Sequence, residues 1–335
     1  MRVLYIGNKL SKYGYIPTTV ETLGKQLEEI VDIVTVSDKK SQVSRLFDMI
    51  ASLIRNRKVH YVIIDTYSSA GFYYAFFASI TCRLLRIKYI PILHGGDLPY
   101  RLDTSSKMSR MVFCHSYINV SPSGYLYHAF KERGYDNLIT IPNNIYIGDY
   151  KFTKRETFQP RLLWVRSFDK IYNCEMAVEV LRLLSEKYSD AVLCMVGPDK
   201  DGSMQSVKNL AAQYGLTERL KITGKMSKLD WHKLSEEYDI FISTTNFDNT
   251  PVSVIEAMAL GLPVVSTNVG GVPYLIDDGK DGLLCEKGNA EYMAEKIIQL
   301  VSSPEKSKDI CINARRKVES FDWDVVKEQW KQLLH

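Results

Sequence analysis

The sequence predicts an α/β protein built from two doubly wound domains. Three observations carry this. Short, β-branched apolar runs alternate with helix-length stretches from one end of the chain to the other. The runs are apolar at consecutive positions, as strands buried on both faces of a parallel sheet are. The alternation pauses once, near the middle, in a polar stretch rich in Asn and Pro. At 335 residues, 45% hydrophobic and 24% charged, the composition is that of a soluble globular chain long enough for two ordinary domains.

In order, the strand candidates of the first half are RVLYI (2–6), DIVTV (32–36), YVIID (61–65), KYIPIL (88–93), YINV (117–120) and LITI (138–141). Each gap between them is long enough for a crossover helix. The pause is PNNIYIGDYKFTKRETFQP, residues 142–160. A second series follows with RLLWV (161–165), AVLCMV (191–196), RLKIT (219–223), DIFIS (239–243) and PVVST (263–267). FDWDVVKEQWKQLL reads as an amphipathic helix with Asp322 as its N-cap. The resulting domains are 1–145, a linker 146–160, a second domain 161–318 and a C-terminal helical segment 319–335. Two such domains leave a cleft, and ligands of open parallel sheets bind at the carboxyl ends of strands.

Charge is unevenly distributed: residues 1–150 hold 18 Lys and Arg against 12 Asp and Glu, and the remainder 25 against 27. A basic first half either draws an anionic partner, such as a membrane surface, or is an ordinary solvated face. No nucleic-acid partner is expected. The six cysteines form no C-x-x-C pair and most sit in apolar stretches, which predicts buried reduced thiols in a cytoplasmic protein rather than a zinc site or disulfide framework. The N-terminus MRVLYIGNKL lacks a signal-peptide core. TYSSAGFYYAFFASITC (66–82) is uncharged but short for a membrane span. Within it FYYAFF reads as helical core, with an acceptor or membrane surface as the alternative.

FDNTPVSVIEAMALGLPVVSTN (247–268) holds the strongest signal. Thr250 suits a helix N-cap, Pro251 the first helical position, Gly261 the C-terminus and Pro263 the stop. The helix is thus predicted over 251–260, its start at the carboxyl edge of the sheet. There the amides of Val252 and Ser253 and the positive end of the helix dipole would suit a phosphate or diphosphate. Glu256 lies one turn further, among apolar neighbours, and must find donors. A ribose could supply them, or local backbone could, in which case Asp248 would be a helix cap.

This stretch resembles the signature of retaining glycosyltransferases of the GT-B fold, family 4. Their hallmark is two acidic residues with seven between, then EAMA-x-GLPVV and a GG-x-P turn. Here it reads Asp248, NTPVSVI, Glu256, AMALGLPVV and NVGGVPYLIDDGKDGLL. The resemblance extends more weakly over nearly the whole chain. It implies two Rossmann-like domains facing across a cleft, with the last helix crossing back to the first domain. It assigns Glu256 to the nucleotide ribose, Asp248 to the donor sugar, and the Val252 and Ser253 amides beside Thr250 to the diphosphate. The first acid of the motif is usually Glu; Asp is one methylene shorter.

The resemblance carries to other strand ends. Arg166 and Lys170, after the first strand of the second domain, match a cation pair that stabilises the departing nucleotide, though a surface pair beside Asp169 is the other reading. Their spacing of four is shorter than in most relatives. His94, in PILHGGDLP, matches a histidine that contacts the donor sugar or its phosphate. Asp97 would orient His94 or touch the acceptor. Gly14, in GNKLSKYGYIP, stands for the glycine loop that approaches the diphosphate, without the usual double glycine. Met226, in TGKM, would border the base unless that segment is a plain turn. The D-x-D at Asp322–Asp324 resembles a metal motif of a different glycosyltransferase fold, but it sits at a helix start, where capping accounts for it. No metal or cofactor is expected.

The expectation is a retaining hexosyl transfer from a nucleotide-diphosphate sugar to a glycan or lipid-linked acceptor, in polysaccharide assembly in the cytoplasm or at the inner membrane surface. The alternatives are a sugar-nucleotide epimerase or phosphorylase of the same fold, or a non-catalytic sugar-nucleotide-binding protein. An NAD-dependent oxidoreductase is disfavoured because no G-x-G-x-x-G follows the first strand.

Overall fold

The computed structural model describes residues 1–15 and 17–335. The chain divides into two compact units, one of Met1–Asn144 with Trp323–His335 and one of Ile145–Asp322. The first unit holds β1 (Arg2–Ile6), β2 (Asp32–Val36), β3 (Tyr61–Thr66), β4 (Lys88–Leu93), β5 (Asn119–Ser121) and β6 (Leu138–Thr140). All pair in parallel, in the order β2-β1-β3-β4-β5-β6. Alternate residues serve opposite faces, as a strand's period of two requires. Leu4 and Ile6 pack with Met49, Leu53 and Phe72; Val3 and Tyr5 pack with Val20, Leu27 and Trp323. The last helix, Trp323–Leu334, belongs to this second layer through Trp323, Val326, Trp330 and Leu334, and the Trp323 indole donates to Glu29 at 2.9 Å.

The second unit holds β7 (Arg161–Val165), β8 (Val192–Val196), β9 (Leu220–Gly224), β10 (Ile240–Ser243), β11 (Val264–Thr267) and β12 (Leu283–Cys285). The sheet is again parallel, in the order β12-β11-β10-β7-β8-β9. Counted from β7, this is the 3-2-1-4-5-6 order of dinucleotide-binding domains, which reverses between its first and fourth strands. Leu162 and Trp164 face one core layer and Leu163 the other.

Four sequence expectations need correction. β12 escaped notice because GLLC offers only three strand residues after a polar turn; its pairing with β11 (Val265 with Leu283) completes the sheet. Residues 146–160, read as a linker, pack within the second unit. Tyr150 and Phe158 are buried, and the Thr153 amide donates to Leu260 at 3.1 Å. The helix Phe72–Leu84 buries Phe72 but exposes Tyr73 and Phe77, so FYYAFF is core on one side alone. Five cysteines are buried as expected, whereas Cys114 is exposed.

Arg155 anchors the 146–160 stretch. Its guanidinium donates to the carbonyls of Tyr238 (3.0 Å), Gly261 (2.9 Å), Ser235 (2.9 Å) and Thr153 (3.2 Å), with Asp239 at 3.8 Å. Burial pushes the Arg155 guanidinium below, and the Asp239 carboxyl above, their ordinary ranges, and the carbonyls supply the donor's partners. Arg155→Met keeps the aliphatic packing but strands these acceptors. It should lower the stability of the second unit by about 3 kcal/mol, read from the urea midpoint. An unchanged midpoint would refute the anchoring role.

Candidate active site

The point where the second sheet's strand order reverses lies between β7 and β10. Two loops leave the carboxyl edge there and are laced together. The Arg166 amide donates to Val196 at 3.0 Å, which brings the chain leaving β7 against the turn after β8. Gly197, at φ +153°, is required at that turn, because a β carbon would run into the Arg166 carbonyl. From β10, Thr244 accepts the Trp164 indole N–H at 3.0 Å and donates to the Tyr172 carbonyl at 2.8 Å. The Asn246 amide donates to Ile171 at 2.7 Å, and its side chain to the Lys170 carbonyl at 3.1 Å.

These loops bring Arg166 and Asp248 into a direct ion pair, with the guanidinium 4.9 Å from the centre of the Tyr172 ring. Burial pushes the Asp248 carboxyl up, against the pull of Arg166 and of the Asn249 and Thr250 amides that donate to it. Arg166 Nε is buried without a protein partner. The GG-x-P turn packs onto the same acid loop. The Gly271 amide donates to the Asp248 carbonyl at 2.8 Å, and a β carbon on Gly270 or Gly271 would overlap the carbonyls of Asp248 or Asn249. Lys170 is exposed, and Asp169 is paired with Lys200 at 2.6 Å rather than with Arg166.

The helix that follows runs Val252–Ala259. Thr250 does not cap it: Pro251 holds the N-cap position, no side chain caps the helix, and the Thr250 hydroxyl is buried without a hydrogen-bond partner. The first ladder bonds run from Val254 and Ile255 to the Pro251 carbonyl, at 3.1 and 3.2 Å. The Val252 and Ser253 amides precede them and are outside the helical ladder. Gly261 closes the helix at φ +82°, with the Leu262 amide bonded back to Ala257 at 3.0 Å.

Glu256 is buried and ion-paired within the protein. Its Oε1 accepts from the Tyr150 hydroxyl at 2.9 Å and lies 2.7 Å from Lys228 Nζ. Burial and the neighbouring carboxylate raise the Tyr150 phenol's pKa. The Tyr150 ring lies 4.7 Å from that of His232, which is only 9% exposed and has neither ring nitrogen hydrogen-bonded within the protein. Met226 packs against the same apolar layer as Trp231, Val254 and Ile255. Sequence reasoning missed Tyr150, Lys228 and His232. The available signal was Lys228 two residues after Met226, on a helix start at the carboxyl edge.

His94, Asp97 and Gly14 belong to the first unit. His94 Nε2 is 2.9 Å from Asp65 Oδ1, which also accepts the Tyr5 hydroxyl at 2.7 Å. The histidine is therefore oriented by Asp65, on β3, and not by Asp97. Asp97 is exposed at the start of the helix Leu98–Thr104 and lines a cavity of about 240 Å³ with Ser68, Ser69 and Arg101. A cavity of about 350 Å³ shares Ser69 and is lined by Asn8, Thr18, Gln42, Tyr67 and Tyr74. Gly14 is left-handed at φ +85° with open space around it; Gly7 is the tightly packed glycine, where a β carbon would sit 2.6 Å from Asp65 Oδ2. The D-x-D aspartates are engaged elsewhere: Asp322 accepts the Ile147 amide at 3.3 Å, and Asp324 pairs with Lys327. No group of three or more metal-ligating side chains occurs among the described residues.

A parallel sheet with this strand order, cations and carboxylates at its reversal point and a helix start beside them define a two-domain α/β protein of the GT-B glycosyltransferase type. Residues 150–317 match the family Glycosyl transferases group 1, and the chain belongs to it. It is 24% identical to an uncharacterized glycosyltransferase of Haemophilus influenzae, across 98% of this chain and 94% of that one. It is 24% identical to the N-acetyl-alpha-D-glucosaminyl L-malate synthase of Bacillus anthracis, across 75% of this chain and 68% of that protein. Anabaena HepE, solved in complex with UDP, superposes with a TM-score of 0.79 at 17% identity, covering 100% of this chain and 99% of that one.

His232 gives this site a pH signature. Burial lowers its pKa, Lys228 lowers it further, and Glu256 and Asp149 oppose them. As pH falls below about 6.5 the unfolded histidine binds a proton that the folded one resists, so stability is lost toward acid pH. His232→Phe should flatten the stability profile between about pH 6.5 and 5 relative to wild type. Parallel profiles would show that the ring is solvated rather than buried.

Proposed function

We propose that the protein is a retaining family 4 glycosyltransferase that moves a hexosyl group from a nucleotide-diphosphate sugar to a glycan or lipid-linked acceptor, without a bound metal. One observation supports the reading: at the strand-order reversal of the second sheet, Arg166 on the segment after β7 pairs with Asp248 on the loop after β10, and the helix that follows begins with the Val252 and Ser253 amides outside its ladder and carries buried Glu256. The fold of HepE, solved with UDP-glucose as well as UDP, supports a uridine-type donor. Polysaccharide assembly is supported by 24% identity to an amylovoran biosynthesis glycosyltransferase over 75% of the chain. The proposed setting is the cytoplasm at the inner face of a membrane. No helix of the described residues is long and apolar enough to cross one.

In this mechanism Glu256 binds the ribose, and the Val252 and Ser253 amides, beside Thr250, receive the diphosphate. Arg166 and Lys170 neutralise charge as it grows on the leaving group. Each well-placed donor contributes about 3 kcal/mol. Asp248 holds Arg166 in position and contacts the transferred sugar, Met226 borders the base, and Gly14 lies on the loop that approaches the phosphates. His94, fixed by Asp65, contacts the sugar or its phosphate, and the acceptor binds the first unit beside Asp97. The acceptor oxygen bonds to the anomeric carbon on the face from which the diphosphate leaves. The carbon–oxygen bond to the diphosphate breaks, and a phosphate oxygen takes the acceptor's proton.

Two variants separate these roles. Glu256→Ala should weaken UDP binding about tenfold by calorimetry, the scale of a lost charged hydrogen bond. Arg166→Ala should cut kcat about a hundredfold while leaving uridine affinity within twofold. Unchanged UDP binding by folded Glu256→Ala would overturn the ribose assignment. Sugar-nucleotide binding without transfer or hydrolysis, across a panel of UDP-, GDP- and ADP-sugars and acceptors, would overturn the enzyme reading.

A further inference from the structure

The first unit carries an apolar face whose outward side chains are exposed among the described residues. The helices Gln42–Arg55 and Phe72–Leu84 follow β2 and β3 and pack side by side on one layer of the sheet. Their inward faces are the expected core, with Met49 and Leu53 from one and Phe72, Ala75, Ala78 and Cys82 from the other. Their outward faces are also apolar. Val43, Phe47 and Ile54 stand at helical spacing on the first helix, and Tyr73, Phe77 and Leu84 on the second. Phe47 is 70% exposed and Leu84 79%. Single exposed apolar residues are ordinary; two adjacent stripes with aromatic members mark an interaction surface.

Charge indicates what covers it. Across residues 42–58 and 72–88 there are seven Lys and Arg and one acid, Asp48. Asp48 is already engaged, by Ser37 at 2.5 Å and Arg55 at 3.5 Å. Both helices run back from the carboxyl edge, so Arg55, Arg57 and Lys58 of one and Arg83 and Arg86 of the other gather at the same end. All five are exposed. A second copy of this chain packed across a two-fold axis through this face would present the same residues, whose one acid, Asp48, is already engaged, and so would offer the arginines no free carboxylate. An anionic lipid surface satisfies both parts: the aromatic and aliphatic side chains enter the acyl boundary and the arginines meet phosphate headgroups. The helices, of 14 and 13 residues, are too short to cross a bilayer, so they lie on it.

We infer that the face formed by helices Gln42–Arg55 and Phe72–Leu84 seats the first unit on an anionic lipid bilayer. This deepens the proposed reading, on whose membrane setting it rests, by naming the surface and the lipid charge. The test is co-sedimentation of the full chain with vesicles of phosphatidylcholine alone and of phosphatidylcholine with phosphatidylglycerol. Binding should require the anionic lipid and weaken as salt rises. The double variant Phe47→Ser, Phe77→Ser should bind the anionic vesicles about tenfold or more weakly. Arg57→Glu with Arg86→Glu should weaken binding about fivefold or more per charge. A UDP thermal shift, measured on every variant, shows that each is folded. No binding to anionic vesicles, or undiminished binding by both double variants, would overturn the inference. So would a wild-type dimer that the Phe47→Ser, Phe77→Ser variant turns into a monomer, since a second copy would then be the occupant. Failure to bind vesicles with an intact UDP shift removes the bilayer surface alone. Vesicle binding without any sugar-nucleotide binding or transfer removes the enzyme reading and leaves this surface standing.

Discussion

The geometry of the second unit's carboxyl edge depends on the pairing of Arg166 with Asp248. Each group is only partly solvated, and burial already pushes the Asp248 carboxyl up. Removing either partner would leave the other charged and poorly hydrated, at a cost of several kcal/mol on the scale of about 3–5. The pair also fixes backbone. Asp248 accepts from the amides of Asn249 and Thr250 and so sets the approach to the helix Val252–Ala259. The same loop's carbonyls are the surface on which Gly270 and Gly271 pack. One ion pair thus ties the chain leaving β7 to the chain leaving β10, and through the glycines to the chain leaving β11.

The first unit solves a related problem with a neutral donor. The Asp65 side chain is buried on β3 with no Lys or Arg paired to it among the described residues; the Tyr5 hydroxyl and His94 Nε2 share its Oδ1. Burial and the adjacent carboxylate raise the Tyr5 phenol's pKa, so the hydroxyl stays a donor over the whole working range of pH. Gly7 closes over the other carboxylate oxygen, and any side chain there would strike it. The arrangement fixes which nitrogen of His94 faces the protein. In the proposed role of His94, the opposite nitrogen, Nδ1, would meet the ligand.

Much of this was legible in the sequence because it rests on local rules. Continuous apolar runs gave eleven of the twelve strands among the described residues, and Gly261 with Pro263 marked the end of the key helix. The acidic pair and the GG-x-P turn lie within one short segment, so their proximity needed no tertiary information. What escaped was long-range. Tyr150 and Glu256 are 106 residues apart and Asp65 and His94 29 apart, and no spacing rule links them. The 146–160 stretch looked like a linker because its polar and proline residues suggest solvent. Its fixed position comes from Arg155 meeting three carbonyls from distant parts of the second unit, those of Tyr238, Gly261 and Ser235. The outward stripes on the two first-unit helices defeated the reading for another reason: apolar periodicity reports that a face avoids water, not what it avoids water against.

Glu256 raises a question of order. A carboxylate this buried cannot wait unpaired for a ligand, and it does not: Tyr150 and Lys228 both serve Oε1. The two partners differ in how readily they yield. The Lys228 side chain is 67% exposed, so its pair with Glu256 contributes at most about 1 kcal/mol and exchanges with water at little cost. The Tyr150 hydrogen bond is buried and made to a charged group, which places it nearer 1.5–3 kcal/mol on the usual scale. A ligand hydroxyl arriving at this carboxylate would therefore displace or join Lys228 and leave Tyr150 in place. It would also find Oε2 free of both bonds. In the proposed ribose role, the tyrosine keeps Glu256 oriented before the nucleotide binds. The lysine acts as an exchangeable stand-in, so little binding energy is lost in preparing the site.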